Sequence, residues 1–100
     1  MVKDLDRLTL VRAIAYQETS NCTKGVALTH NNCFGTMTWK TGNREFRRFE
    51  NNQAGYDYTY GLIERMYDGL SLKEMAVKYS GNDRADHWHK NVLHWYNKLI

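Results

Sequence analysis

Proline is absent from the chain, which excludes a proline-rich linker and a collagen-like repeat. Long apolar runs are missing too. None approaches the ~20 residues that a membrane-spanning helix needs, so membrane insertion is not expected. No secretory leader is expected either: residues 1–10 carry Lys3, Asp4, Asp6 and Arg7 where such a leader has an apolar stretch. Charge of one sign is not in large excess. A formal net charge of +3 would suit an anionic polymer without demanding nucleic acid. Cysteine is scarce. Cys22 and Cys33 allow a single bridge. In the chain-entropy model it would contribute roughly 2–3 kcal/mol, and it would form only in an oxidising compartment. Two free thiols in a half-buried loop are the plainer alternative. Cys22, His30 and Cys33 could offer zinc three ligands, but no CxxC spacing is present, so no metal site is expected.

What is present describes one domain, residues 1–100. At 42% hydrophobic, 13% aromatic and 25% charged residues, the composition is that of a globular chain and not of a disordered one. About two thirds of the unfolded surface can be buried at this length, enough for one core without a cofactor. Leu5 to Thr19 reads as a helix with Leu8, Val11, Ile14, Ala15 and Glu18 on one stripe. Asp4 or Asp6 can start it, and Ser20, Asn21 and Gly25 can end it. A polar loop over residues 20–32 can hold a helical turn at Val26 to His30. Phe34–Trp39 and Glu45–Phe49 read as a β-hairpin about the turn signal Thr41-Gly42-Asn43. Asn51 or Asn52 can cap a third element carrying Tyr56, Tyr60, Ile63, Tyr67 and Leu70, with Gly69 as terminator. Ser71 to Glu74 is a capping box that opens a short helix with Leu72, Met75, Ala76 and Tyr79 inward. The last helix runs from about Arg84 to the end, with Trp88, Val92, Trp95 and Leu99 as its stripe. The expected fold is mainly α (α+β), four to five helices with a small hairpin. Tyr56, Tyr60, Ile63, Tyr67, Trp88, Val92, Trp95 and Leu99 are expected to form much of the core.

Glu18 is the residue that does not fit a plain core stripe. It stands in the last turn of its helix, where the dipole is negative. Burial and the dipole would both disfavour the carboxylate and raise its pKa. A carboxylic acid kept protonated near neutral pH is what a general acid requires. A rim glutamate reaching water is the plainer reading of the same pattern. Next comes Thr29-His30-Asn31-Asn32-Cys33-Phe34-Gly35-Thr36-Met37. Its amides can bond sugar hydroxyl and acetamido groups, its aromatic can stack on a sugar face, and Gly35 permits close approach to the backbone. A structured turn rich in Asn and Gly is the alternative. His87, His89 and His94 read as polar helix positions. Arg44, Arg47 and Arg48, with Lys40, make a basic edge on the hairpin. It could face nucleic acid, but an anionic glycan suits it at least as well, and a solvated strand face is the simplest account.

Ala13-Ile14-Ala15-Tyr16-Gln17-Glu18-Thr19-Ser20 followed by Asn31-Asn32-Cys33-Phe34-Gly35-Thr36-Met37 resembles the lysozyme-like superfamily. Within it, the sequence is most similar to the bacterial and phage peptidoglycan glucosaminidases and the small lytic-transglycosylase-type domains. In those families a helix ends in the catalytic glutamate, an Asn-Asn-x-Phe-Gly motif precedes a small hairpin, and a tyrosine closes a short helix before the last one. Tyr79-Ser80-Gly81-Asn82-Asp83, then Trp88 and Asn91-Val92, fit that final part. The resemblance covers roughly residues 10–97. It departs from the usual pattern where Ser80 to Asp83 replace Ala-Thr-Asp after the tyrosine.

The resemblance implies a lysozyme-like fold and a peptidoglycan glycosidase acting on β-1,4 bonds between N-acetylglucosamine and N-acetylmuramic acid. Glu18 would protonate the leaving oxygen. Asn32, Phe34, Gly35, Met37 and Tyr79 would bind substrate, although Tyr79 can equally be a core residue. A second acid, ~5–5.5 Å away in a retaining enzyme or ~6.5–9.5 Å away in an inverting one, could be Glu45, Glu50 or Asp83, with Asp57 a weaker candidate. The sugar's own acetamido or 6-hydroxyl group could replace it. The implied partner is peptidoglycan, at the bacterial cell wall, in the periplasm or outside the cell or delivered by a phage. No cofactor and no nucleic acid are implied. A glycan-binding or phage structural module that keeps the fold without catalysis is the alternative.

Overall fold

The structure, a computed structural model, describes Val2 and residues 4–40 and 42–100, with only the backbone of Trp39 and Lys40. Seven elements follow in order: α1 (Arg7–Thr19), α2 (Val26–His30), β1 (Met37–Lys40), β2 (Asn43–Phe46), α3 (Asn52–Tyr67), α4 (Leu72–Ser80) and α5 (Ala85–Leu99). The chain is mainly helical, with one two-stranded antiparallel hairpin. No helix among the described residues is long and apolar enough to cross a membrane.

Side-chain chemistry sets the helix ends. The Asp6 carboxylate accepts from Thr9 N at 3.0 Å, so α1 starts at Arg7, two residues later than the hydrophobic pattern indicates. Ser20 ends α1 in the left-handed region with φ 50°. Asn51 caps α3 through Ala54 N, 2.8 Å away. The Ser71–Glu74 capping box is closed in both directions, at 3.0 and 3.1 Å.

α1 is the central element, packed against both α5 and α3. It therefore buries more than a narrow stripe: Leu10, Val11, Ala13, Ile14 and Ala15 are all fully buried. Leu8, expected inward, is 55% exposed. A similar rotation occurs on α3, whose buried line is Gly55, Thr59, Ile63 and Tyr67. Gly55 sits inward because Asn31 O and the Phe49 ring press against it, 3.2 and 3.3 Å from where a Cβ would stand. Tyr60 consequently turns outward, with the Arg7 guanidinium 3.9 Å above its ring. Ile63, Tyr67, Trp88 and Val92 are in the core, while Tyr56, Trp95 and Leu99 pack at its margin.

The hairpin is shorter than the sequence pattern suggests. Met37 pairs with Phe46, Thr38 with Glu45, Trp39 with Arg44 and Lys40 with Asn43. Thr41 of the expected turn and the Lys40 side chain of the expected basic edge lie outside the described residues. Phe34 and Phe49 are not in strands. Phe34 is buried in the preceding loop, and Phe49 packs on Tyr58 at 5.6 Å. Nor do Arg47 and Arg48 form a free basic edge. The Arg47 guanidinium lies 4.6 Å from the Tyr58 ring centre, and Arg48 Nη1 donates to Thr29 O at 2.6 Å.

Candidate functional site

A cleft of about 770 Å³ opens where the end of α1, the loop before β1, β2, the end of α4 and the start of α5 meet. α1 brings Gln17 and Glu18. The loop supplies Phe34 and Gly35, and β2 supplies Arg44. Tyr79 and Ser80 come from α4, and Asp83, Arg84, His87 and Trp88 from the connection and first turn of α5.

Two devices hold the loop against α1. Cys22 and Cys33 are joined in a disulfide. Thr19 Oγ1 donates to Cys33 O at 2.8 Å and accepts from Cys22 N at 3.0 Å. Ser20, Asn21 and Cys22 all have positive φ, an uncommon run for residues with a Cβ. It is supported by Ser20 N and Asn21 N donating back to Tyr16 O and Ala15 O. The chain thus reverses one turn after Glu18 and returns past it at Gly35.

Glu18 reaches the solvent of the cleft, yet protein atoms crowd its carboxyl. Its Oε1 accepts a hydrogen bond from Trp88 Nε1 at 2.9 Å. Desolvation pushes the pKa above the ordinary glutamate value, against the Trp88 hydrogen bond and the Arg84 charge, which both favour the carboxylate. Tyr79 stacks on Trp88, ring centres 4.9 Å apart, and donates to Phe34 O at 3.2 Å. Desolvation, with the nearby Glu18 charge and Tyr67, pushes its phenol far up, so it stays a neutral donor.

The residues expected to bind substrate divide. Gly35 and Tyr79 line the cleft. Met37 lines an adjoining hollow of about 260 Å³ that shares Gly35, Arg44 and Tyr79 with it. Asn32 is a correction. It is fully buried, and its amide is spent on backbone. Nδ2 donates to Thr36 O at 2.9 Å and Arg47 O at 2.8 Å, while Oδ1 accepts from Phe34 N and Thr36 N. It clamps the loop and has nothing left for a sugar. Phe34 borders the cleft as expected, but the stacking expected of its ring is a correction. Phe34 is 1% exposed and its ring meets Tyr56 edge-on at 4.9 Å, so it cannot stack on a sugar face.

Of the candidate second acids, Asp83 shares the cleft with Glu18. Glu45 and Glu50 are exposed outside it. Glu45 follows Arg44 on a strand, where successive side chains point to opposite faces; Arg44 takes the cleft side and Glu45 the other. Asp57 lines a separate hollow beside α1 and α3.

The sequence pattern marks no cleft role for Arg84 and His87, and Trp88 enters it as a core position and as part of the family motif, without a cleft role of its own. One signal did exist for Trp88, since a buried indole N–H needs an acceptor. The pattern could not say that the acceptor is Glu18, seventy residues earlier. His87 faces the cleft and its Nε2 meets Asn91 Nδ2 at 2.9 Å. Among the described residues no three His, Cys, Asp or Glu side chains gather closely enough to hold a metal ion. No protein-family model, curated protein or solved structure matches the chain.

Proposed function

We propose that this chain is a peptidoglycan glycosidase that cleaves the β-1,4 bond between N-acetylglucosamine and N-acetylmuramic acid, with Glu18 as its general acid. The observation that carries the reading is the Glu18 carboxyl itself. It stands open to a cleft, with its charge disfavoured by desolvation and one oxygen held by an indole N–H. A raised carboxyl pKa keeps a larger share of protonated acid near neutral pH. The order of the Glu18, Asn31-to-Met37 and Tyr79 motifs along the chain supports the same reading.

In this mechanism Glu18 gives its proton to the glycosidic oxygen as the C1–O bond breaks and the bonding pair leaves with that oxygen. The sugar's developing positive charge forms beside the resulting carboxylate. Water, or an oxygen of the same sugar, closes on C1 and returns a proton to Glu18. Asp83, in the same cleft, is the carboxylate suited to orient such a water. Arg44 and Arg84 offer cations to an anionic glycan. The Cys22–Cys33 bridge suits an oxidising site of action at the cell wall.

The test is mass spectrometry of purified peptidoglycan digested by the wild type and by Glu18→Gln. Soluble fragments are expected from the wild type alone. Their ends name the reaction: anhydro-muramic acid for a transglycosylase, a reducing N-acetylglucosamine or N-acetylmuramic acid for the two hydrolases. No fragments from either protein on several wall types, with wall binding retained, would overturn the enzyme reading in favour of a glycan-binding module.

A further inference from the structure

The two oxygens of Glu18 stand in different surroundings. Oε1 lies 2.9 Å from Trp88 Nε1. An indole N–H is a donor with no acceptor capacity, so it favours Oε1 as the carbonyl oxygen, the better acceptor of a protonated carboxyl, and disfavours the proton there. Oε2 lies toward the loop, 3.6 Å from where a Cβ on Gly35 would stand. We propose that Trp88 is a positioning residue that assigns the acid proton of Glu18 to Oε2, the oxygen beside Gly35, and so sets the side of the cleft from which the proton is delivered. Its catalytic consequence rests on the glycosidase reading; the location of the proton does not.

The indole is not free to release this contact. Trp88 is 3% exposed, its ring stacks on Tyr79, and Tyr79 is tied through its hydroxyl to Phe34 O. Phe34 is bonded directly to Gly35. One chain of contacts therefore holds both the donor at Oε1 and the backbone ledge beside Oε2. Gly35 has φ +67° and no side chain, so the oxygen that carries the proton stays reachable from the cleft. Other polar groups share the cleft: His87 from α5, Tyr79 from α4, Asp83 and Arg84 from the connection between them and Arg44 from β2. Among the described residues only Trp88 donates a hydrogen bond to the Glu18 carboxyl.

The experiment is a pH titration of the intact oxidised chain by NMR, following the indole N–H signals of its three tryptophans and the Glu18 side-chain carboxyl carbon. The Trp88 signal is identified by triple-resonance assignment and by its loss in Trp88→Phe. The Trp88 N–H shift is expected to follow pH with the same midpoint as the Glu18 carboxyl, and to lose that transition in Glu18→Gln. In Trp88→Phe the Glu18 midpoint is expected to move upward, because a donor to the charged form is gone. The alkaline limb of kcat/KM for wall lysis should move up with it. A Trp88 signal that stays flat while Glu18 titrates, or a Glu18 midpoint unmoved in Trp88→Phe, would overturn the proposal. If Trp88→Phe does not fold, the comparison of wild type with Glu18→Gln still decides. Absence of lysis from a wild type whose Trp88 and Glu18 titrate together would overturn the glycosidase reading and leave the proton assignment supported.

Discussion

Glu18 and Arg44 face the same cleft, and they are held in very different ways. Glu18 stands in the last turn of a helix whose Leu10, Val11, Ala13, Ile14 and Ala15 are fully buried, and its carboxyl is fixed by an indole that is itself stacked and tethered. Arg44 stands on a strand whose four residues are all exposed. No hydrogen bond or ion pair engages its guanidinium among the described residues. A group that must present one oxygen in one direction gains from a rigid support. A cation that meets a polymer of variable shape gains from a mobile stem, because its attraction falls off slowly with distance. On the proposed reading, the body carries the group suited to chemistry, and the hairpin carries a group suited to capture.

Removing one acid from each region separates their roles. Glu18→Gln should lower wall lysis by about 10²–10⁴-fold, the usual contribution of a general acid, while Glu45→Gln on the exposed strand should leave it unchanged. Dye release from labelled peptidoglycan measures both. Equal losses would mean that the hairpin contributes to the chemistry.

Asn32 joins the two regions. Asn32→Ala would strand Arg47 O and the N–H groups of Phe34 and Thr36, while Thr36 O keeps its bond from Arg47 N. At about 1–3 kcal/mol for an unsatisfied buried group, with partial relief from water, a loss of about 2–4 kcal/mol is expected in urea unfolding. Hydrogen exchange should quicken in residues 33–47 more than in α5. Uniform quickening would mean that the hairpin is not separately anchored.

Reducing the Cys22–Cys33 bridge removes the other anchor. Stability should fall by roughly 2–3 kcal/mol, read from urea midpoints with and without reductant, with helical circular dichroism largely kept below the transition. A smaller effect is expected from Arg44→Gln. Binding to walls should weaken several-fold and lose part of its salt dependence, with the Glu18 titration unmoved.

The smallest expected effect is a change in the pH dependence of stability. The Glu18 pKa is raised in the folded state, so the folded protein binds more protons than the unfolded chain through that range. Stability from this group is present below the unfolded glutamate pKa and is lost as pH rises through the folded one. Glu18→Gln should therefore be more stable than the wild type at pH 7, with the gap closing at low pH. Thermal unfolding at both pH values checks the sign.

Helices were the most legible part of the sequence because their signals are local. Asp6, Asn51, Ser71 and Glu74 act within three residues of themselves. The hairpin was legible as a unit, although Phe34 and Phe49 were drawn into it by their aromatic character and are held elsewhere by tertiary contacts. Glu18 stood out because a carboxylate in the last turn of an apolar helix is unfavourable locally. Asn32 and Phe34 looked like ligand groups because amides and aromatics serve scaffold and site alike. Nothing local says whether an amide will be spent on backbone.

Local chemistry along the chain marks the helices and places most of their ends to within a few residues, sets two cysteines about one polar loop, and puts an acid in the last turn of the first helix. These follow from dihedral preferences and hydrogen bonds a few residues apart. Which side chains share the cleft is set by packing between distant elements. Asp83 lines the cleft and Glu45 and Glu50 do not, Trp88 is the partner of Glu18, and Asn32 is buried beneath the site. Those outcomes depend on how α1, α5 and the loop before the hairpin pack together. Contacts across seventy residues leave no short-range periodicity by which they could be read.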